Sequence, residues 1–324
     1  MNAVVQDTCG SPDVLELREI DEPVVGDDQV LVQVRAAGVD PGVWHLMTGL
    51  PYLVRVVGYG LRKPKVGIRG RDVAGRVEVV GANVTRFRPG DEVFGVCDGS
   101  FAEYVCARPD KLAPKPANLT FEQAAAVPIS GLTALQALRD TGKVQPGQTV
   151  LIIGAAGGVG SFAVQLAKAF GAKVTGVCST TKLDLVRSIG ADEVIDYTRE
   201  DFSDGARHWD LVVDTAGRRS LSQLRRALAP RGTLVIVGGE GGGRWLGGFD
   251  RMILRAPAVS AFSRQRLRPL VSKERSEDLL VLKELIEAGK VTPVIDRTYP
   301  LREAPEAIRY LEEGHARGKV VIRV

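Results

Sequence analysis

Residues 154–160 read GAAGGVG, which sets Ala155, Gly157 and Gly160 at the spacing of a glycine fingerprint whose first glycine is replaced by alanine. Such a loop suits one kind of chemistry. A slim backbone lets a pyrophosphate approach, and the following helix aims unpaired N–H groups and its positive dipole end at the charge. Gly154 and Ala156 keep the loop slim where the first glycine is missing. By itself the pattern is equally a plain strand-to-helix turn. Its flanks favour the dinucleotide reading, because a β-branched run (149–153) precedes it and the amphipathic stretch 160–170 follows.

The second strand of such a unit usually ends in Asp or Glu, which accepts hydrogen bonds from a ribose 2′-hydroxyl. Here the strand 173–177 runs into Cys178, Ser179 and Thr180, with Lys182 behind. A carboxylate would repel a 2′-phosphate, whereas the two hydroxyls donate to it and the lysine adds positive charge. The expected cofactor is NADPH. Ser179–Thr180 also reads as a cap on the next helix, a role compatible with phosphate binding. Asp184 is the nearby acid, and a helical position two residues after Lys182 points it elsewhere.

Holding these groups requires strands that alternate with helices, and the middle of the chain supplies them. Strands are expected at 149–153, 173–177, 193–196, 210–214 and 233–237, and helices at 160–170, 182–189 and 221–229. That alternation predicts a parallel, doubly wound sheet. The first 115 or so residues read instead as short strands punctuated by turns such as RPGDE, with one helical turn at DPGVWHLMTG. Thr120 is a predicted N-cap, and Pro128 is expected to break or kink the helix it starts near its middle. The closing strand at GKVVIRV is expected to rejoin the N-terminal β-domain.

Composition sets the outer limits. With 324 residues, 44% hydrophobic and 25% charged, the chain is long enough for two globular domains, and a net charge of +4 is too mild to argue for nucleic acid. No aromatic stacking platform accompanies the basic residues. Nothing resembles a signal peptide or an 18-residue apolar span. Cys9, Cys97, Cys106 and Cys178 form no CxxC pair, which fits free thiols and a cytoplasmic location.

The segments GSPDVLELREIDEP, VLVQVRAAGVDPGVWHLMTG, GRDVAGRVEVVG, PGDEVFGV, GLTALQAL, GAAGGVG, GADEVIDY and GKVVIRV, in this order, resemble the medium-chain dehydrogenase/reductase superfamily in its zinc-free quinone oxidoreductase branch. The resemblance covers nearly the whole chain. It implies an α/β fold with a Rossmann doubly wound parallel sheet inserted in a GroES-like β-domain. The expected domains are 1–122 (GroES-like, catalytic), 123–272 (Rossmann, NADP-binding) and 273–324 (the return to the catalytic domain).

Zinc-dependent relatives place a Cys after the AAGV strand and a His-Glu pair in a GHE motif. This chain has Asp40 and Arg71–Asp72 there, and no four-Cys lobe, so no metal is expected. The resemblance further implies that Ala156, Gly157, Gly158 and Val159 hold the pyrophosphate, and that Ser179, Lys182 and Tyr197 surround the 2′-phosphate. Thr133 and Thr215 lie along the ribose side, Gly238 faces the nicotinamide, and His315 and Arg317 return over the cofactor. Asp40 and His45 fall near the nicotinamide and are the candidate catalytic residues. Asp40 replaces a common Asn, and His45 a Tyr.

Without a metal to polarise a ketone, the acceptor must already be electrophilic, either a quinone or an alkene conjugated to a carbonyl. Hydride passes to it from the nicotinamide, and a proton comes from solvent, His45 or, less well placed, Tyr52. His45 has a second reading, as a histidine packed beside Trp44. The segments 50–65 and 241–269 are apolar and basic, and read either as a lid or homodimer surface or as a rim for a lipophilic quinone or membrane surface. Two alternative functions stay open: an enoyl-thioester reductase, and a non-catalytic NADPH-binding sensor. The expected partners are a small electrophilic substrate and a second copy of the chain.

Overall fold

The structure, a computed structural model, describes residues 1–56, 64–238, 245, 247–248 and 255–324, with the backbone alone at Val54 and Ala261. Much of the two apolar and basic segments (57–63, 239–244, 246 and 249–254) therefore lies outside the described residues. The chain divides into two compact units. Unit 1 holds Met1–Leu132, Glu274–Gly289 and Pro293–Val324, and unit 2 holds Thr133–Lys273 and Lys290–Thr292.

The N-terminal strands belong to unit 1: β1 (Asn2–Val5), β2 (Glu16–Glu19), β3 (Val30–Val39), β4 (Asp72–Val80), β5 (Glu92–Val96), β6 (Tyr104–Ala107) and β7 (Leu112–Pro114). Between β3 and β4 comes helix α1 (Pro41–Thr48), and after β7 come α2 (Phe121–Ala125) and α3 (Pro128–Gln136). Pro128 separates α2 from α3 as expected, because its ring cannot continue a helix laid down before it. The capping box at Thr120 and Gln123 starts α2, and α2 packs on β3 and β4. That packing is why the compact edge of unit 1 falls at Leu132, beyond residue 122.

Unit 2 contributes β8 (Thr149–Ile153), α4 (Gly158–Ala169), β9 (Lys173–Cys178), β10 (Glu193–Asp196), β11 (Trp209–Asp214), β12 (Leu228–Ile236) and β13 (Arg266–Pro269). These strands form one sheet in the order β10-β9-β8-β11-β12-β13, parallel at every pairing. The order reverses direction between β8 and β11. That is the switch point of a doubly wound sheet, where ligands bind outside the carboxyl ends of the strands. The strands are near-continuous apolar runs because both faces are covered, and Leu151, Val177, Ile195, Val212, Leu234 and Trp209 share one core.

The chain ends in unit 1 with β14 (Ile295–Pro300) and β15 (Lys319–Arg323). Here β15 pairs antiparallel with β3 and completes a sheet ordered β14-β15-β3-β4-β5-β7, with β6 also on β3. The last strand thus rejoins the N-terminal domain, as the sequence predicts. Val4, Val39, Val43, Met47, Phe101 and Ile308 form the core beneath α1. No described helix is long and apolar enough to cross a membrane.

Candidate active site

The loop between β8 and α4 is set by two glycines. Gly154 adopts φ +81°, and a Cβ there would lie 2.6 Å from Thr215 Oγ1. A Cβ on Gly160 would lie 2.0 Å from the Gly154 carbonyl oxygen, so no other residue lets α4 start this close to β8. Gly157 is the N-cap of α4, and the N–H groups of Gly158 and Val159 have no acceptor within the helix. Ala155 and Ala156 are buried, and the missing first glycine costs the loop nothing in shape. The residues present fit a dinucleotide pyrophosphate: a cradle of backbone donors, closed to an added Cβ at Gly154 and at Gly160.

Ser179, Tyr197, Thr215 and Gly238 each follow the carboxyl end of a strand of the same sheet. Ala155 N–H donates to Val177 O (3.0 Å), which ties the loop to the end of β9. Tyr197, just past β10, donates its N–H to Cys178 O (3.1 Å) and so stands beside Ser179, with its side chain half-exposed. Thr215 donates its hydroxyl to Ile153 O (2.7 Å) and pins β11 to β8 at the switch point. Gly238 donates its N–H to Asp214 O (3.1 Å), and a Cβ there would meet Thr215 O at 2.5 Å. Thr133 lies on α3 and is the first residue of unit 2. The Cys178 thiol is pushed up to about 11, by burial and then by the charge of Asp196, so it stays protonated beside Ser179 at neutral pH.

At the end of β9 the structure corrects one expectation. Thr180 does not offer its proton to a phosphate, because its hydroxyl donates to Asp196, the last residue of β10. Asp196 also accepts from the N–H (3.0 Å) and hydroxyl (2.7 Å) of Thr198. The hydroxyls of Thr180 and Thr198 hold this carboxyl below its ordinary range, helped by the Thr198 N–H and Arg199. Of the expected donor set, Ser179 and Lys182 remain. Ser179 occupies the cap position of the turn Thr180–Lys182 but makes no side-chain cap bond, so the capping reading does not engage its hydroxyl. Asp184 is fully exposed and paired with Arg187 (3.0 Å). The local signal for the Asp196 turn was present in DYT, since an Asp commonly accepts from the N–H two residues on.

Asp40, His45, His315 and Arg317 belong to unit 1. Asp40 caps α1, with Gly42 N–H donating to its Oδ1 (2.7 Å), while its Oδ2 is buried and has no partner among the described residues. Pro41 at the first helical position and Gly49 at φ +63° bound the helix, as the residue preferences of its two ends require. One turn in, His45 Nδ1 lies 2.8 Å from Leu50 O. A carbonyl only accepts, so Nδ1 carries a proton. The ring stands edge-on to Trp44 at 5.0 Å. His315 and Arg317 are exposed on the turn before β15, where Arg317 N–H donates to Asp296 (2.9 Å).

Beneath Asp40 lies a pair that no local pattern announces. Lys319 Nζ donates to Asp72 Oδ2 (2.9 Å), and the two side chains are 2% and 0% exposed. Ile129 N–H donates to the other oxygen of Asp72 (2.7 Å). Burial and the charge of Asp40 push the Asp72 carboxyl up, against the pull of Lys319. Arg71, at the place where zinc-dependent relatives hold a histidine, is paired with Glu274 and 3.6 Å from Asp98. A guanidinium so engaged offers a metal no lone pair. Among the described residues no three His, Cys, Asp or Glu side chains converge as metal ligands.

The fold and this edge define a dehydrogenase/reductase built from a GroES-like and a Rossmann part, and known proteins narrow the class. The family described as "Alcohol dehydrogenase GroES-like domain" matches residues 26–117, and "Zinc-binding dehydrogenase" matches residues 189–322. The mouse NAD(P)H oxidoreductase RTN4IP1, mitochondrial, is 32% identical, over 100% of this chain and 89% of its own. The NADPH-dependent alkenal/one oxidoreductase, chloroplastic, of Arabidopsis thaliana is 35% identical, over 99% and 79%. The crystal structure of Escherichia coli quinone oxidoreductase complexed with NADPH superposes with a TM-score of 0.83 at 26% identity, covering both chains entirely. The chain belongs to the medium-chain dehydrogenase/reductase superfamily, in its zinc-free quinone oxidoreductase branch.

Proposed function

We propose that the protein is an NADPH-dependent, zinc-independent oxidoreductase that transfers hydride to a quinone or to an alkene conjugated to a carbonyl. The observation that carries this reading is the edge of unit 2. A cradle of backbone donors there, closed to any Cβ at Gly160, lies on the same strand ends as Ser179 and Lys182 in place of an acid. Relatives named for NAD(P)H, quinone and alkenal chemistry support the substrate class.

NADPH, when bound, supplies the hydride. Ala156, Gly157, Gly158 and Val159 would hold its pyrophosphate, and Ser179, Lys182 and Tyr197 its 2′-phosphate. Thr133 and Thr215 take the ribose side, Gly238 the nicotinamide, and His315 and Arg317 close over it in this reading. In unit 1, Asp40 and His45 are the residues assigned to the reacting end. His45 is oriented by its bond to Leu50 O, and its neutral ring can accept a proton at Nε2 but gives one from there only as imidazolium. Asp40 keeps one carboxylate oxygen bare, suited to accept a donor on substrate or water. Quinones take their protons readily from water, so their reduction asks less of these two side chains than enal reduction does. The reading places the protein in the cytoplasm as a homodimer. Four free cysteines fit a reducing compartment, and β13 is the last strand of the sheet among the described residues, the edge this reading gives to a second copy.

The test is NADPH oxidation against quinones, conjugated enals, enoyl-CoA thioesters, saturated ketones and simple alcohols, with a chelator throughout. Turnover is expected on quinones or enals and none on saturated ketones. Alcohol oxidation that the chelator abolishes would overturn the reading, and NADPH binding without turnover of any acceptor would return the chain to a sensor role.

A further inference from the structure

We propose that Arg69 forms a binding site in unit 1 for a compact oxyanion that also carries an O–H group, of the bicarbonate or dihydrogen-phosphate kind. The site belongs to unit 1 and does not depend on the function proposed above.

Arg69 is only 5% exposed, and its Nε is buried without a partner among the described residues. No side-chain hydrogen bond or ion pair with a described residue engages its guanidinium. The other strongly buried cations among the described residues of unit 1 have partners: Lys319 has Asp72, and Lys115 donates to Leu119 O (2.6 Å) and lies 3.3 Å from Glu92. A guanidinium cannot shed its proton to escape burial, and an unpaired buried charge costs several kcal/mol. Burial does lower its affinity for the proton, with Cys9 and Asp98 acting in the opposite sense, but Asp98 is exposed and turned to Arg71. A group in this condition calls for a partner other than protein.

The surroundings say what that partner must be. The segment 67–69 runs antiparallel to β1, with Val5 bridged to Ile68, Gln6 N–H donating to Gly67 O (2.7 Å) and Arg69 N–H to Val4 O (3.4 Å). Gln6 and Arg69 therefore project from the same face, opposite Val5 and Ile68. The Gln6 amide is fixed by donating to Thr8 O and Met47 O, both at 2.6 Å, which leaves Oε1 as a buried, unpartnered acceptor. On the neighbouring segment Phe101 N–H donates to Arg69 O, and the fully buried Ser100 hydroxyl has no partner among the described residues. A cation and an acceptor on one face of this seam, both without a partner among the described residues, do not suit a halide, which leaves Gln6 Oε1 facing negative charge. An oxyanion with its own O–H satisfies both: anionic oxygen to Arg69, hydrogen to Gln6.

The test measures the thermal unfolding of the full chain against sodium bicarbonate and, separately, sodium phosphate near pH 7, at constant ionic strength made up with sodium chloride. Each titration is run with and without saturating NADPH, so that anions competing for the phosphate cradle are told apart. A saturable rise in melting temperature that persists with NADPH and is lost in Arg69→Met is expected. Gln6→Glu, which sets a carboxylate in the seam, should abolish the same response and raise the melting temperature without added anion. Identical bicarbonate and phosphate responses in the parent, Arg69→Met and Gln6→Glu would overturn the proposal, leaving water as the occupant. Should Arg69→Met fail to fold, Gln6→Glu alone decides: an undiminished anion response there overturns it too.

Discussion

At the edge of unit 2, the groups proposed to meet a phosphate are mostly backbone N–H groups, fixed by the ends of parallel strands and by close approaches at Gly154 and Gly160. Around α1 in unit 1, the polar groups are side chains: Asp72 held by Lys319, and Asp40 Oδ2 and Arg69 Nε without partners among the described residues. The first site is made by shape and the second by charge. A backbone site is assembled by residues close in sequence, since the loop 154–160 contains its own donors and its own steric limits. A charge site is assembled across the whole chain, with Asp72 and Lys319 joined only because β15 returns to pair with β3. Shape should therefore fail locally when broken, and charge should fail globally.

The largest effect expected from that comparison is at Lys319. Replacing it with Met leaves Asp72 buried without its counter-charge, which typically costs about 3–5 kcal/mol when one partner of such a pair is removed. Chemical unfolding of Lys319→Met should show a loss of that order in unit 1. Removing the second charge as well, in Asp72→Asn with Lys319→Met, should recover a large part of it, because two neutral groups need no mutual compensation. A single substitution costing less than about 1 kcal/mol would mean that the pair is solvated like a surface bridge. The contrast between the two units would then lose its physical basis.

Gly160→Val is the matching experiment on shape. The added Cβ meets the Gly154 carbonyl at 2.0 Å, so α4 must move away from β8 and take its first N–H groups with it. NADPH affinity measured by fluorescence titration should fall by at least ~100-fold, about 2.7 kcal/mol. Gly157→Ala is the control, because a Cβ there comes no nearer than 3.3 Å to the Gly154 carbonyl, and it should bind far better. Equal losses in both variants would show that any change in the loop matters, not the one close approach.

The same contrast explains what could be read in advance. The Rossmann unit was legible because each strand and helix carries its own period, and the GAAGGVG loop carries its own reason for every glycine. The break at Pro128 and the return of β15 were legible for similar local reasons. The buried pair of Asp72 and Lys319 was not, since nothing near either residue marks it, and GKVVIRV reads only as a strand. The unpaired Arg69 was missed because charge in a sequence carries no sign of burial. Thr180 was misjudged for a subtler reason. A hydroxyl has one proton, and which acceptor takes it depended on Asp196, on the neighbouring strand.

The smallest effects should come where side chains decorate the backbone site. Ser179 and Lys182 replace the usual acid, so Lys182→Glu should shrink or reverse the preference for NADPH over NADH. In the unmodified protein that preference is expected to be at least tenfold, about 1.4 kcal/mol. Thr180 stands between these two residues and would be counted with them on residue type alone. Its proton, however, is already given to Asp196, and its oxygen lone pairs can only repel a phosphate. Thr180→Val should therefore leave the ratio of NADPH to NADH affinity within about twofold, a few tenths of a kcal/mol. Any general weakening from the loosened turn should fall on both cofactors alike. Ser179→Ala, by contrast, removes a hydroxyl that makes no cap bond, and should lower NADPH affinity while sparing NADH. Isothermal titration with both cofactors on the three variants separates the cases. A Thr180→Val protein that loses NADPH selectivity as Ser179→Ala does would mean that the Thr180 hydroxyl turns from Asp196 to the phosphate when the cofactor arrives, and the side-chain half of this site would be made by the ligand, not before it.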